Sequence, residues 1–207
     1  MKRIIDTGSY MTEEEFREAY GIKPPSASIE PTMEAAGVPA RFRNVQPDTK
    51  RASALGEGKG LYLFGDVGTG KTTMACAVMA GWLKMGRRGA LYVSSVDLAT
   101  DLMPTSKVRE RRLSQAKDAG LLVLDDLGKE PPTPWILAEL FSIVDARWAQ
   151  CSAHTIVTSQ LAPSELAARL AERGDEATAK AIVSRLSGMC SLIRCQGQDG
   201  RIYGRRG

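Results

Sequence analysis

Residues Gly65-Asp66-Val67-Gly68-Thr69-Gly70-Lys71-Thr72 spell a glycine, four residues, then Gly-Lys-Thr. No other stretch constrains the fold of this chain as tightly. The glycines permit backbone angles that turn successive N–H groups inward, making a nest for phosphate oxygens. In such a loop the lysine reaches the outer phosphates of a nucleotide, and the hydroxyl after it ligates Mg²⁺. The pattern also demands a strand before it and a helix after it. Leu61-Tyr62-Leu63-Phe64 is a short apolar run ending at Gly65, and helical spacing continues from Lys71 to about Met85. That helix aims the positive end of its dipole at the same anion. Gly65 through Thr73 are therefore the expected nucleotide-binding residues, with Lys71 also catalytic and Thr72 a metal ligand.

A phosphate loop needs an acidic partner at the end of a neighbouring strand. Leu121-Leu122-Val123-Leu124-Asp125-Asp126 supplies four strand residues and then two carboxylates. Asp125 is expected to hold Mg²⁺ through water, and Asp126 to orient or deprotonate the attacking water. Asp125-Asp126-Leu127-Gly128 also fits the switch of GTP-binding proteins. Those proteins read guanine with an Asn/Thr-Lys-x-Asp motif after a later strand, where this chain has Ser159-Gln160-Leu161. Adenine is the expected base, and ATP with Mg²⁺ the expected ligand.

Beyond these motifs, strands and helices alternate. Ala90–Val93, Leu121–Leu124 and Thr155–Thr158 read as strands, with Leu192–Arg194 a fifth after two short helices. A helix over Pro134–Trp148 places Leu137, Leu140, Phe141, Val144 and Trp148 on one face. Continuous apolar strands separated by helices imply an α/β fold with a parallel five-stranded sheet covered on both faces. Residues 1–34 hold one helical candidate, Thr12–Tyr20, where Thr12 and Glu15 form a capping box. Pro24, Pro25 and Pro31 then break regularity, so 1–34 reads as an arm and 35–207 as the domain. No apolar run reaches the roughly 18–20 residues of a membrane span, and the first six residues turn polar at once. Four scattered cysteines and a single histidine give a zinc site little support and suit reduced thiols in the cytoplasm. With 28 basic and 24 acidic side chains, the charge permits a nucleic-acid partner without requiring one.

Several stretches resemble one family, the DnaC-type helicase loaders and IstB-type transposition helpers of the AAA+ class. Ala36-Gly37-Val38-Pro39-Ala40-Arg41-Phe42-Arg43 is similar to the segment that enters the family's ATPase core. Leu124 through Gly128 resembles its Walker B ending, and the Arg147-Trp148 pair its following helix end. Thr155 through Gln160 resembles the sensor-1 strand, Val183-Ser184-Arg185-Leu186 the arginine-finger box, and Gly197 through Arg201 the C-terminal motif. Two positions depart from the common pattern, Gln160 for the usual Asn and Asp126 for the Glu of many fast AAA+ ATPases.

The resemblance implies a three-layer P-loop NTPase without a separate C-terminal lid domain. It implies ATP bound between subunits, with Arg185 completing a neighbour's site and Gln160 polarising the water. Hydrolysis is then expected to be slow and stimulated by DNA or a partner. Ala179, Ile182, Val183 and Leu186 form one apolar side of a helix, and Arg185 flanks that side. Family members carry an extra helical element between the second and third strands, facing single-stranded DNA. Lys107, Arg109, Arg111 and Arg112 fall there and lack interleaved aromatics, so backbone contact without sequence preference is expected. The implied function is ATP-dependent loading of the replicative helicase. The alternative is a transposition helper that recruits a transposase, and a small-molecule kinase on the same fold is a more distant third.

Overall fold

Four apolar residues in Leu121–Leu124 point alternately to opposite faces of a sheet, so both faces need cover. The computed structural model, which describes residues 28–57, 59–150 and 154–197, shows what covers them. Five strands form one sheet: β1 Gly60–Phe64, β2 Ala90–Ser94, β3 Leu121–Asp125, β4 His154–Ser159 and β5 Cys190–Arg194. Their order is β2-β3-β4-β1-β5 and every pairing is parallel. The helices are α1 Glu30–Ala35, α2 Thr49–Glu57, α3 Lys71–Lys84, α4 Ser95–Asp101, α5 Arg109–Asp118, α6 Pro134–Ala149, α7 Pro163–Ala171 and α8 Glu176–Met189.

Two apolar clusters sit on the two faces. Leu121, Val123, Ile156 and Leu63 pack with α1, α2 and α3, while Leu122, Leu124, Val157 and Tyr62 pack with α4 to α8. The three-layer α/β architecture expected from the alternation is the one observed.

The structure corrects two expectations. The boundary placed between residues 34 and 35 cuts through α1, whose Met33 is fully buried in the cluster beneath α3. Proline at the first turn of α1 starts a helix there rather than ending order. The proposed helix at Thr12–Tyr20 lies outside the described residues. On α6 the buried residues are Ile136, Leu137, Glu139, Leu140, Ile143, Val144 and Arg147. Trp148 is instead half exposed at 50% and Phe141 only partly covered. The buried arc is centred one position earlier because α6 covers the sheet with its 136/140/143/147 row and turns Trp148 outward.

Candidate functional site

The loop after β1 is shaped by its first and third glycines. Gly65 has φ of 132°, and a Cβ there would lie 2.3 Å from the Cys195 carbonyl oxygen, so the chain leaving β5 passes too close for any side chain. Gly70 has φ of 82° and caps α3 without a side-chain acceptor, leaving the first N–H groups of the helix open. Lys71 is only 6% exposed, and its ammonium donates to the carbonyls of Gly65 (2.7 Å) and Asp66 (2.6 Å). Burial pushes its pKa below the ordinary lysine value, the carboxylates of Asp126 and Asp66 opposing. Thr69 closes the loop by donating to the Asp66 carbonyl at 2.9 Å.

Asp125, at the end of β3 and 5% exposed, accepts three hydroxyl hydrogen bonds. Thr72 (2.9 Å) and Thr158 (2.6 Å) donate to Oδ1, and Tyr92 donates to Oδ2 at 2.7 Å. Burial, then the Asp125 charge, raises the Tyr92 phenol far above its usual range, so it stays a donor. Thr158 also accepts the Asp126 N–H at 2.9 Å, and the Ser95 hydroxyl donates to the Asp126 carbonyl at 2.8 Å. These bonds hold Asp126 at φ of 58°, the one non-glycine residue with positive φ among the described residues. The turn swings its carboxylate off the strand direction and into the cleft.

Val67, Gly68, Gly70, Lys71, Thr72, Thr73, Asp126 and Gln160 line one cleft of about 430 Å³. Arg41, Phe42 and Lys129 complete its wall. The structure thus brings together most of the residues singled out from sequence. Gly65, Asp66 and Thr69 shape the loop from behind, and Asp125 sits beneath Thr72. Arg185 is elsewhere, on α8, bonded to Asp145 of α6. Lys107 lies in the turn before α5 and Arg111 on its exposed side. Arg109 pairs with Glu139 of α6, and Arg112 with Asp101 at 2.6 Å, so half of that cationic run is neutralised within the fold.

The donor set suits a magnesium nucleotide. The open N–H groups at α3 and the buried ammonium of Lys71 fit an anionic phosphate chain. The Thr72 hydroxyl beside Asp125 offers two hard oxygens of the kind that would hold Mg²⁺ if phosphates and waters supplied the rest. No cluster of three or more His, Cys, Asp or Glu exists among the described residues, so an all-protein metal cage is not built here. Sequence reading passed over Tyr92, Thr158, Lys129 and the cleft-lining role of Arg41 and Phe42. Arg41 stacks over Phe42 at 4.5 Å from the ring centre, and an aromatic–arginine pair in a stretch similar to a core-entry segment was the available signal.

A parallel sheet ordered 2-3-4-1-5, a glycine loop after its β1 and twin carboxylates after its β3 define a P-loop protein of AAA+ architecture. The chain belongs to the family of IstB-like ATP-binding proteins, whose model matches residues 47–206. It is 29% identical over 168 residues to the replicative helicase loader DnaI of Bacillus subtilis (strain 168), covering 78% of this chain and 54% of that protein. The chain spans about half the length of the curated relatives it matches. A crystal structure of DnaI shares the fold, with a TM-score of 0.66 at 23% identity over 77% of this chain and 95% of that one. The crystal structure of the DnaC helicase loader matches with a TM-score of 0.59 at 26% identity, over 76% of this chain and all of that one. No described helix is long and apolar enough to cross a membrane.

Proposed function

We propose that this chain is an ATP-dependent loader of the replicative DNA helicase. In this reading it binds and hydrolyses ATP between subunits and contacts single-stranded DNA. The observation that carries the reading is the cleft itself. It joins the phosphate loop, Asp126 and Gln160 in a chain related to a helicase loader.

The N–H groups of Gly68 to Thr73 and the Lys71 ammonium hold the phosphates, with Arg41 and Phe42 walling the opposite side. Thr72 and Asp125 would hold Mg²⁺, which would supply positive charge against the phosphate oxygens. Asp126 and Gln160 orient the attacking water, and Asp126 is placed to take its proton. Arg185 reaches the terminal phosphate of a neighbouring subunit's nucleotide, where such fingers contribute roughly 10³–10⁵ in rate. Its place outside the chain's own cleft supports that division of labour. Lys107 and Arg111 are the exposed cations for DNA backbone, with Arg109 and Arg112 supporting them from their ion pairs. ATP acts here as a switch: it ties subunits together and favours the DNA-gripping state, and hydrolysis releases it. Turnover is slow until DNA or a partner stimulates it.

The family description favours a second reading, a transposition helper that recruits a transposase to DNA. A pull-down with the host's replicative helicase, in ATP and in ADP, separates the two. Nucleotide-dependent capture of the helicase supports loading; capture of a transposase in its place overturns it.

A further inference from the structure

Lys129 follows the paired carboxylates by three residues, and its ammonium meets Asp126 Oδ2 at 2.6 Å. Both side chains line the cleft that holds Lys71 and the phosphate loop. An exposed i,i+3 pair is ordinarily weak and free to rearrange. This one differs in how its backbone is held. Arg169 of α7 donates to the Gly128 carbonyl at 3.2 Å and to the Glu130 carbonyl at 3.3 Å, holding the residues on either side of Lys129. The Glu130 carboxylate, 2% exposed, accepts the Gly128 N–H at 2.8 Å. The Lys129 N–H donates to the Asp126 carbonyl at 3.2 Å, and Leu127 is anchored to the Thr158 carbonyl at 2.8 Å. Asp126 is fixed in turn by Thr158 and Ser95. The backbone at both residues is therefore set, and the freedom that remains lies in the two side chains. Lys129 is partly exposed at 46%, on a flexible four-carbon stem.

We propose that Lys129 distinguishes nucleoside triphosphate from diphosphate by exchanging partners. Its ammonium stays on Asp126 in the free and diphosphate-bound protein and transfers to the terminal phosphate when triphosphate binds. The inference rests on the reading of the cleft as an ATP site. The reason is competition between anions: a terminal phosphate brings more charge and three acceptor oxygens, whereas Asp126 offers one carboxylate. Transfer leaves the Asp126 carboxylate without its cation, so the group that orients water is released only when there is a terminal phosphate to cleave. A diphosphate places nothing in that part of the cleft, and the Lys129–Asp126 pair stays closed. Lys71 does not make the same distinction, because the phosphates common to both nucleotides already engage it.

Fluorescence titration of the full chain with N-methylanthraniloyl ATP and ADP in Mg²⁺ tests this without relying on turnover. Lys129→Met is expected to weaken the triphosphate about tenfold and the diphosphate less than about twofold, the loss of one charge-assisted contact. Lys129→Arg should keep the preference. Asp126→Asn, which removes the competitor, should tighten triphosphate binding in the presence of Lys129 and have no such effect in Lys129→Met. Equal weakening of both nucleotides by Lys129→Met, or an unchanged ratio, overturns the proposal. A wild-type protein that binds neither nucleotide would instead sink the ATP-site reading, so the two failures are distinct.

Discussion

Arg185 donates from Nε to Asp145 Oδ1 at 2.8 Å, and its guanidinium carbon lies 4.8 Å from the centre of the Phe141 ring. Both partners belong to α6 of the same chain, so the arginine is held at the surface, half-way out of solvent, and outside the chain's own cleft. A partly exposed pair near the surface contributes about 0.2–1 kcal/mol, little enough for a neighbour's phosphate to displace. We expect Arg185→Ala to bind ATP as the wild type does, yet to lose ATP-dependent assembly and at least about 10³-fold in hydrolysis. Sedimentation and turnover with single-stranded DNA check this. Full DNA-stimulated turnover in the variant would refute a finger acting between subunits.

Lys71→Ala is expected to abolish ATP binding outright, since its ammonium lies within the loop it would bridge to the phosphates. Titration calorimetry with ATP gives the answer, and heats equal to those of the wild type would move the nucleotide elsewhere.

Thr158 is fully buried and joins the two acids, donating to Asp125 and accepting from the Asp126 N–H. Thr158→Val keeps the shape, strands the Asp126 N–H and leaves Asp125 Oδ1 with Thr72 alone, which costs about 1–3 kcal/mol. We expect a lower urea midpoint and a larger loss in hydrolysis than in ATP binding, with Thr158→Ser recovering most of both. A valine variant as active as the wild type would show that the left-handed turn at Asp126 holds without this hydroxyl.

Much of this site was legible because its signals are local. The Gly65–Thr72 spacing needs one strand and one helix in sequence, and Asp125–Asp126 needs only an apolar run before it. The parallel sheet followed from the alternation of such runs with helices. Thr158 and Tyr92 were not legible as Asp125 partners, because a hydroxyl inside an apolar strand looks the same whether it meets a carboxylate across the sheet or a backbone carbonyl. Lys129 reads as an ordinary solvated lysine until the positive φ at Asp126 turns the two side chains toward each other. The α6 stripe failed for a different reason. Periodicity assigns an aromatic to the buried arc and a charge to solvent, but α6 ends against carbonyl groups that only Arg147 can satisfy.

His154 offers a pH test. Burial, then the charges of Arg87 and Arg147, hold its imidazole below the usual histidine pKa. The folded chain therefore keeps it neutral at a pH where the unfolded chain, near 6.5, takes up a proton. The sign follows: this contribution is complete above the unfolded value and is lost as pH falls through it toward the depressed folded value. Urea midpoints from pH 7.5 to 5 should fall more steeply for the wild type than for His154→Gln. Parallel curves would mean that the ring charges freely against Trp82, whose centroid is 5.1 Å away.

Arg147 is 1% exposed and donates to five acceptors. They are Thr155 Oγ1 (2.9 Å) and the carbonyls of Ala116 (3.1 Å), Lys117 (3.2 Å), Ala119 (2.8 Å) and His154 (2.5 Å). One planar fork thus fastens the end of α5, the end of α6 and the start of β4. A lysine has the charge but not the fork, so Arg147→Lys and Arg147→Met should both leave buried carbonyls unpaired, at about 1–3 kcal/mol for each such group. The neighbouring Trp148 is half exposed and rests on α8 where Gly188 leaves room, a Cβ there falling 2.6 Å from the ring. Removing it loses part of one aromatic's burial, so Trp148→Ala should cost about 1–2 kcal/mol. The order of the two losses in thermal unfolding is the test. If Trp148→Ala proved the more damaging, the apolar stripe would be holding α6 in place, and the carbonyls around Arg147 would have found water as an adequate substitute.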